Sequence, residues 1–206
     1  MSLSQPTGGP AWARPEPPAR AGSPVWVRRL LPVLVLVALM WVSELVDQVL
    51  PLDLDVFGIR PRELGHLQGI VLSPFLHLGW SHLISNTVVL LVLGPLLALT
   101  TRHLWLVTAG VVLLGGLGVW LFGGPGTVHI GASGVVYGYA AFLAAYGFVA
   151  RRFGQALVGL LVIAVYGSML WGVLPVRAGV SWQAHLFGAL TGLLLAVWLG
   201  RRDRRR

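Results

Sequence analysis

Six apolar segments, each close to 20 residues long, are the feature that most limits how this chain of 206 residues can fold. A bilayer core of roughly 30 Å is crossed by about 20 residues of helix, and a helix satisfies its own backbone hydrogen bonds in lipid. The pattern predicts an all-α membrane protein with six transmembrane helices, of which the fourth is expected to be short. The predicted spans are Leu30–Leu50, Trp80–Thr100, Leu104–Phe122, Ser133–Ala150, Gln155–Leu174 and Trp182–Gly200.

The composition excludes an ordinary soluble domain. Apolar residues make up 56% of the chain and charged residues 11%, whereas soluble proteins carry about 25% charged residues to cover their surface. The sequence contains no cysteine, which excludes disulfides, thiolate metal sites and cysteine nucleophiles. We expect no bound metal and no cofactor.

All 15 basic residues are arginine, and they indicate which side of the membrane each end of a span faces. Twelve would lie on one side with both termini, and three, Arg60, Arg62 and Arg177, on the other. Cytoplasmic loops carry the excess of basic residues, so we expect a multi-pass protein of the cell membrane with both termini in the cytoplasm. The net charge of +8 also fits nucleic acid, but arginines at the ends of apolar runs favour the lipid bilayer, and no nucleic acid partner is expected.

The chain divides into a tail, a core and a second short tail. Residues 1–29 carry six prolines and no apolar stretch, which predicts a disordered cytoplasmic N-terminal tail. Residues 30–200 form the six-helix domain, and residues 201–206 a basic cytoplasmic C-terminal tail.

The long outward loop, Pro51–Gly79, is either a functional element or a solvated connector on composition alone. Glu44 and Asp47 lie late in the first span and are expected to be structural. Asp47 is close enough in sequence to reach the headgroups or to pair with Arg60 or Arg62.

Polar residues within apolar spans are costly, so each is a candidate for function. His82 and Asn86 are four residues apart and share one face of the second span. Ser133 opens the fourth span in a glycine-rich turn, and His185 is an isolated ionisable residue of the sixth span. Taken singly, each is more often structural than catalytic. All of them, however, are expected near the outer ends of their spans, at a similar depth.

These residues supply the parts that acyl transfer needs. A serine hydroxyl is a weak nucleophile until a base takes its proton, and histidine is the usual base. Ser133 and His185 fit these two roles. His82 and Asn86 are suitable donors to a developing oxyanion, together with free backbone N–H groups where the Ser133 helix starts. A third, acidic residue is not apparent in these motifs.

Glycine pairs predict that the fourth and sixth spans pack closely. Gly134 and Gly138 on the fourth span, and Gly188 and Gly192 on the sixth, each form a small-xxx-small pair. Each pair lies near the candidate catalytic residue of its span. Gly131, on the other side of the serine, allows further backbone to come close.

The three motifs together resemble the rhomboid family of intramembrane serine proteases. The match consists of HLGWSHLISNT at residues 77–87, GASGVVYGY at 131–139 and SWQAHLFGALTG at 181–192, on the second, fourth and sixth spans in family order. The resemblance covers the six-helix core and implies a rhomboid-like bundle. The form of the first loop looks similar to actinobacterial members.

The resemblance also implies roles for individual residues. Ser133 and His185 would form a dyad, with Ser133 as nucleophile and His185 as general base and acid. His82 and Asn86 would donate to the oxyanion with the backbone N–H of Ser133. Tyr137 matches the family tyrosine that packs on the ring of the catalytic histidine, and its alternative is an ordinary helix-packing aromatic.

Two further positions are assigned no catalytic role. His77 matches a histidine that shapes the start of the second span. Some bacterial members carry a Trp-Arg pair in the first loop, where this chain reads GIRPRE at residues 58–63. No functional residue is therefore assigned to that loop.

The function expected from this resemblance is that of an intramembrane serine endopeptidase whose partners are transmembrane protein substrates. One alternative is a catalytically inactive rhomboid-like protein that binds client transmembrane helices. That class typically lacks the serine or the histidine, and both are present. A second alternative is a small transporter that uses its histidines as a proton relay.

Overall fold

The computed structural model describes residues 25–50, 52–176 and 179–205. Over these ranges no β-strand forms, and one isolated bridge pairs Ile59 with His129. Most of the predicted tail at residues 1–29 lies outside the described residues and stays a prediction. The first helix nevertheless begins at Val25, earlier than the predicted span at Leu30.

The described part of the chain contains six long helices, which we label α1 to α6. Their bounds are α1 Val25–Val49, α2 Gly79–Thr100, α3 Leu104–Phe122, α4 Ser133–Val149, α5 Phe153–Tyr166 and α6 Trp182–Arg204. A π-helical stretch, Val111–Gly115, widens α3 at its middle, and a 3₁₀ segment, Gly167–Val173, continues α5.

The protein is a multi-pass membrane protein by the length and apolarity of these helices. Five of the described helices, α1, α2, α3, α5 with its 3₁₀ extension, and α6, are long and apolar enough to cross a bilayer. The remaining one, α4, is apolar but has 17 residues, or about 26 Å at 1.5 Å per residue. Many leucines on the outer faces of the bundle are exposed, which suits contact with lipid.

Helix α4 lies at the centre of the bundle and contacts α2, α3, α5 and α6. Helix α6 packs closest to α4, because glycines of α6 lie directly against the backbone of α4 where the two helices cross. A Cβ built on Gly188 would overlap the carbonyl group of Gly134, and one on Gly192 would overlap that of Gly138, with 2.9 Å to the carbonyl carbon in both cases. Only residues without a Cβ permit this separation, so the glycine pairs set the distance between the two helices.

A buried carboxylate joins three elements at the end of the bundle where α6 terminates. Asp203 is 5% exposed and accepts hydrogen bonds from Arg102 at 2.9 Å, His103 at 2.7 Å and the Tyr146 hydroxyl at 2.6 Å. These bonds connect α6 to the α2–α3 turn and to α4. The sequence predicts that Asp203 lies in a tail beginning at residue 201, but α6 continues through Arg204.

The first loop is a structured element that is fastened to the end of α3. The Arg62 guanidinium donates to the carbonyls of Leu121 at 3.0 Å and Gly123 at 2.9 Å, at a helix end where carbonyls lack partners within the helix. The Trp120 indole donates to the Glu63 carbonyl at 3.3 Å. The loop is therefore held against the end of α3, and its interpretation as a functional element stays a prediction.

The suggested pairing of Asp47 with Arg60 or Arg62 is wrong. Asp47 Oδ1 accepts from the backbone N–H of Leu54 at 2.6 Å, while Arg60 lies 3.9 Å from Glu63. A backbone donor at the start of the loop is nearer to this carboxylate than either arginine. Asp47 therefore holds the start of the loop against the end of α1.

The surroundings of Asp55 in this loop predict that the stability of the folded protein depends on pH. Burial and the nearby charges of Asp47, Glu44 and Asp53 raise the pKa of Asp55 to about 6, from an ordinary 3.8. The folded state thus binds this proton more tightly than the unfolded state, so its contribution to stability increases as pH falls through about 6. We expect Asp55→Asn to raise stability at pH 7.5 by up to about 1 kcal/mol after solvent screening. The gain should vanish near pH 4, as measured by thermal unfolding in detergent at both pH values. An equal gain at both would contradict the assignment.

Candidate active site

Ser133 is the first residue of α4 and follows a tight turn. Gly131 has a φ of +106°, a conformation that residues with a Cβ rarely adopt, and its N–H donates to the Ser73 carbonyl at 2.8 Å. Because Ser133 begins the helix, the nearby backbone N–H groups have no partner in a preceding turn. The serine hydroxyl therefore lies beside N–H groups that the helix itself does not use, at the positive end of its dipole.

His185 lies in the first turns of α6 and faces Ser133 across the close crossing of the helices. Its Nε2 is 2.9 Å from Ser133 Oγ, and its Nδ1 is 2.8 Å from the Gly172 carbonyl oxygen. A carbonyl only accepts, so Nδ1 carries the proton and Nε2 presents a lone pair to the serine hydroxyl. The arrangement thus fixes the tautomer that a general base requires.

The Tyr137 ring stacks on the imidazole of His185. The ring centroids are 4.1 Å apart with an interplanar angle of 6°, and the Tyr137 hydroxyl donates to the Met169 carbonyl at 2.9 Å. The histidine ring is therefore held at its Nδ1 edge by a carbonyl and on one face by an aromatic ring.

His82 and Asn86 lie on the other side of the serine turn, beside Gly131. A Cβ built on Gly131 would lie 2.7 Å from His82 Nε2 and 3.7 Å from Asn86 Nδ2. His82 Nδ1 accepts from the Leu78 N–H at 3.3 Å, so its Nε2 carries a proton and is available to donate. Asn86 Nδ2 donates one hydrogen to the His82 carbonyl at 3.2 Å, and an amide has a second.

His77 stabilises the turn before Ser133 and does not face its hydroxyl. Its Nδ1 lies 3.4 Å from the Phe75 carbonyl, and its Nε2 accepts from the Ala132 N–H at 3.4 Å. Burial, together with the neighbouring His82, lowers the pKa of His77 to about 4, which keeps it neutral. Glu44 lies elsewhere, on α1, where it accepts from Gln48 at 3.0 Å.

Three residues at the site were not singled out from the sequence. Gly172 contributes only a backbone carbonyl, for which a sequence carries no signal. His129 and Ser181 are hydrogen-bonded to each other at 2.6 Å beside the motifs that contain Ser133 and His185. An ionisable residue four positions before the candidate nucleophile was a signal that could have identified His129.

The described residues contain no group of three His, Asp or Glu side chains arranged to hold a metal ion. The chemistry available at the site is that of the serine, the imidazole and hydrogen-bond donors. A small cavity of about 30 Å³ is lined in part by Gly131, Gly134 and Ala184, which are sequence neighbours of Ser133 and His185.

The fold and site define a class: a helical multi-pass membrane protein with a hydrogen-bonded serine and histidine on adjacent helices. The profile of the Rhomboid domain family matches residues 64–202. The chain therefore belongs to the rhomboid family.

The chain is also similar to proteins of several bacteria. The uncharacterized protein Rv1337 of Mycobacterium tuberculosis is 41% identical over all of this chain and 88% of its own length. The uncharacterized protein ML1171 of Mycobacterium leprae is 42% identical over 87% of this chain and 75% of its own. YdcA of Bacillus subtilis, which its name proposes as a rhomboid protease, is 30% identical over 64% of this chain and 66% of its own.

Proposed function

We propose that this protein is an intramembrane serine endopeptidase that cleaves transmembrane segments of other membrane proteins. The observation that carries the proposal is the 2.9 Å contact between Ser133 Oγ and His185 Nε2, with Nδ1 engaged by the Gly172 carbonyl. A hydroxyl donating to an unprotonated imidazole nitrogen is the ground state from which a serine nucleophile is activated.

The proposed reaction has two halves that use the same pair. His185 Nε2 takes the hydroxyl proton while Ser133 Oγ attacks the scissile carbonyl carbon. The carbonyl oxygen becomes an oxyanion, and collapse of this intermediate breaks the C–N bond as His185 returns the proton to the leaving amine. His185 then deprotonates a water molecule, which attacks the carbonyl carbon of the acyl-serine. The C–O bond to Ser133 breaks, His185 returns the proton to Ser133 Oγ, and the new carboxyl end is released.

The oxyanion would be stabilised by three donors around Gly131: the His82 Nε2–H, the second hydrogen of Asn86 Nδ2 and the Ser133 backbone N–H. Small side chains on both sides of the serine leave space for a substrate backbone there.

A dyad suffices here because other groups perform the orienting role of a triad carboxylate. The Gly172 carbonyl fixes the tautomer of His185, and the stacked Tyr137 ring fixes its plane. The alternative of an inactive helix-binding protein has no such support, since it would not require the serine and histidine to be in contact.

We also propose that all six helices span the bilayer, with α4 as a short central span, and that both chain ends are cytoplasmic. The excess of arginine at the end of the bundle away from Ser133 supports this orientation. The active site would then open toward the outer leaflet, where lipid surrounds the substrate.

The orientation predicts the behaviour of reporter fusions. A reporter active only outside the cytoplasm should be silent after residue 206 and active when inserted in the first loop, at Gly65, which has no atom near its missing side chain. A cytoplasm-specific reporter at the same two positions should give the opposite pattern. Strong outside activity after residue 206 would overturn the orientation.

Asn86→Ala should lower cleavage without abolishing it. Removal of one oxyanion donor costs on the order of 10²–10³-fold in kcat, and less where His82 and the backbone N–H compensate. The measurement is cleavage by purified protein in proteoliposomes, which gives kcat and KM. The matched control is Ser168→Ala, which removes an exposed hydroxyl and should leave both constants unchanged. Loss as complete as that of Ser133→Ala would instead mean that Asn86 is needed for the fold.

The proposed function itself is tested most directly with a fluorophosphonate probe. Wild-type protein in detergent should be labelled covalently, because an activated serine displaces the probe's leaving group, whereas Ser133→Ala should not. Labelling of Ser133→Ala to the wild-type level, or no labelling of a folded wild-type protein that also fails to cleave membrane substrates, would refute the proposal.

A further inference from the structure

His129 joins three separate parts of the chain next to the candidate active site. It lies in the loop before α4 and is 5% exposed. Its backbone exchanges two hydrogen bonds with Ile59 of the first loop, at 2.9 and 3.0 Å. Its ring reaches Ser181, directly before α6, and Thr127 within its own loop.

Ser181 is the residue that starts the helix of His185. Its Oγ accepts from the Ala184 N–H at 3.2 Å, and its carbonyl accepts from the His185 N–H at 3.3 Å. The same Oγ is 2.6 Å from His129 Nδ1. Both oxygens of Ser181 therefore hold the first turn of α6, and His129 holds the hydroxyl that does so.

The hydrogen bonds that link Thr127, His129 and Ser181 allow one consistent assignment of donors and acceptors. The Thr127 hydroxyl donates to the Gly124 carbonyl at 2.6 Å, so it accepts from His129 Nε2–H at 2.8 Å. Nδ1 is then unprotonated and accepts a hydrogen bond from the Ser181 hydroxyl, whose oxygen in turn accepts from the Ala184 N–H. Burial lowers the pKa of His129 and so favours the neutral ring that this assignment requires.

We propose that His129 is a positioning residue that, through Ser181, fixes the first turn of α6 and thereby the imidazole of His185 relative to Ser133. This inference rests on the proposed protease function for its kinetic consequence. Its structural consequence, the order of the first turn of α6, does not depend on that function.

The expected effect is a reduced kcat with little change in KM. Loss of a helix cap loosens the first turn, and a displacement of about 1 Å at a catalytic group can cost on the order of 10²-fold in rate. His129→Leu, which removes both ring contacts at similar size, should lower kcat about 10- to 100-fold while KM changes less than about threefold. Ser181→Ala removes the helix cap itself and should lower kcat at least as much, and the double variant should be no worse than Ser181→Ala, because His129 acts through the Ser181 hydroxyl.

A conservative variant distinguishes a role of the His129 hydrogen bond from a role of the side chain's size alone. His129→Asn offers a carboxamide oxygen near the place of Nδ1, and it should recover most of the kcat lost in His129→Leu. The matched control is Thr101→Val, which removes a buried hydroxyl that donates to the Leu97 carbonyl at 2.9 Å in the turn between α2 and α3, and it should leave kcat unchanged.

Hydrogen exchange of the first turn of α6 tests the claim without any activity. In His129→Leu and Ser181→Ala, a peptide covering residues 182–187 should exchange at least about tenfold faster than in wild type, and in Thr101→Val it should not. Unchanged exchange in Ser181→Ala, or a His129→Asn as impaired as His129→Leu, would overturn the proposal. If wild type and Ser133→Ala are equally inactive, the protease proposal fails, and the exchange measurement alone still decides the role of His129.

Discussion

Ser133→Ala and His185→Ala should each abolish cleavage of a transmembrane substrate, with a loss of about 10⁴-fold or more, and the double variant should be no worse. Ser133 and His185 depend on each other, because the serine hydroxyl is a weak nucleophile without a base and the imidazole has no nucleophile to activate without the serine. Such residues act as a unit and their effects do not add. The measurement is cleavage of a model substrate by purified protein in proteoliposomes.

Controls for this result are available in the same chain. Ser168→Ala removes an exposed hydroxyl and His66→Ala removes a histidine of the first loop that lies 3.7 Å from Glu63. Both should cleave at about the wild-type rate. Undiminished cleavage by a folded Ser133→Ala protein would end the protease interpretation, and additive losses in the double variant would mean that the two residues act in separate steps.

Gly188→Val should cause the second large effect by forcing α4 and α6 apart. A Cβ at Gly188 would overlap the carbonyl group of Gly134, with 2.9 Å to its carbon, and a backbone atom cannot rotate away as a side chain does. Separation lengthens the Ser133–His185 contact, so we expect activity to fall by on the order of 10²-fold or more. Overpacking should also destabilise the protein by about 1–3 kcal/mol.

Two further substitutions distinguish this effect from a general intolerance of glycine replacement. Gly192→Ala meets the Gly138 carbonyl, one turn further from the site, and should also reduce both activity and melting temperature. Gly154→Ala, at the second position of α5 with no atom within 4 Å, should lower neither activity nor melting temperature. Wild-type activity and melting temperature in Gly188→Val would show that the crossing is not close-packed.

The sequence alone was sufficient for features that depend on local pattern. Apolar length predicts helices that cross lipid, because unpaired backbone groups are too costly there, and glycine spacing predicts a close helix crossing. The serine, the two histidines and the asparagine are recognisable because polar groups are rare in such spans. These inferences need no knowledge of which segments meet.

Other features depend on which distant segments are in contact, and only the tertiary structure decided them. The partner of His185 Nδ1 is the carbonyl of Gly172, a backbone atom that every residue possesses. Asp203 looks like part of a solvated basic tail, yet it turns inward because Arg102 and Tyr146 converge on it from other parts of the bundle.

The first loop and the loop before α4 show the same limit. From the sequence, Arg62 was one of three arginines expected on the outer side of the membrane. Its role in capping α3 follows from its contact with Leu121, 59 residues away in the sequence. His129 meets Ser181 across 52 residues. A pattern along the chain reports the environment that each residue prefers, whereas a hydrogen bond between loops depends on the packed helices that bring those loops together.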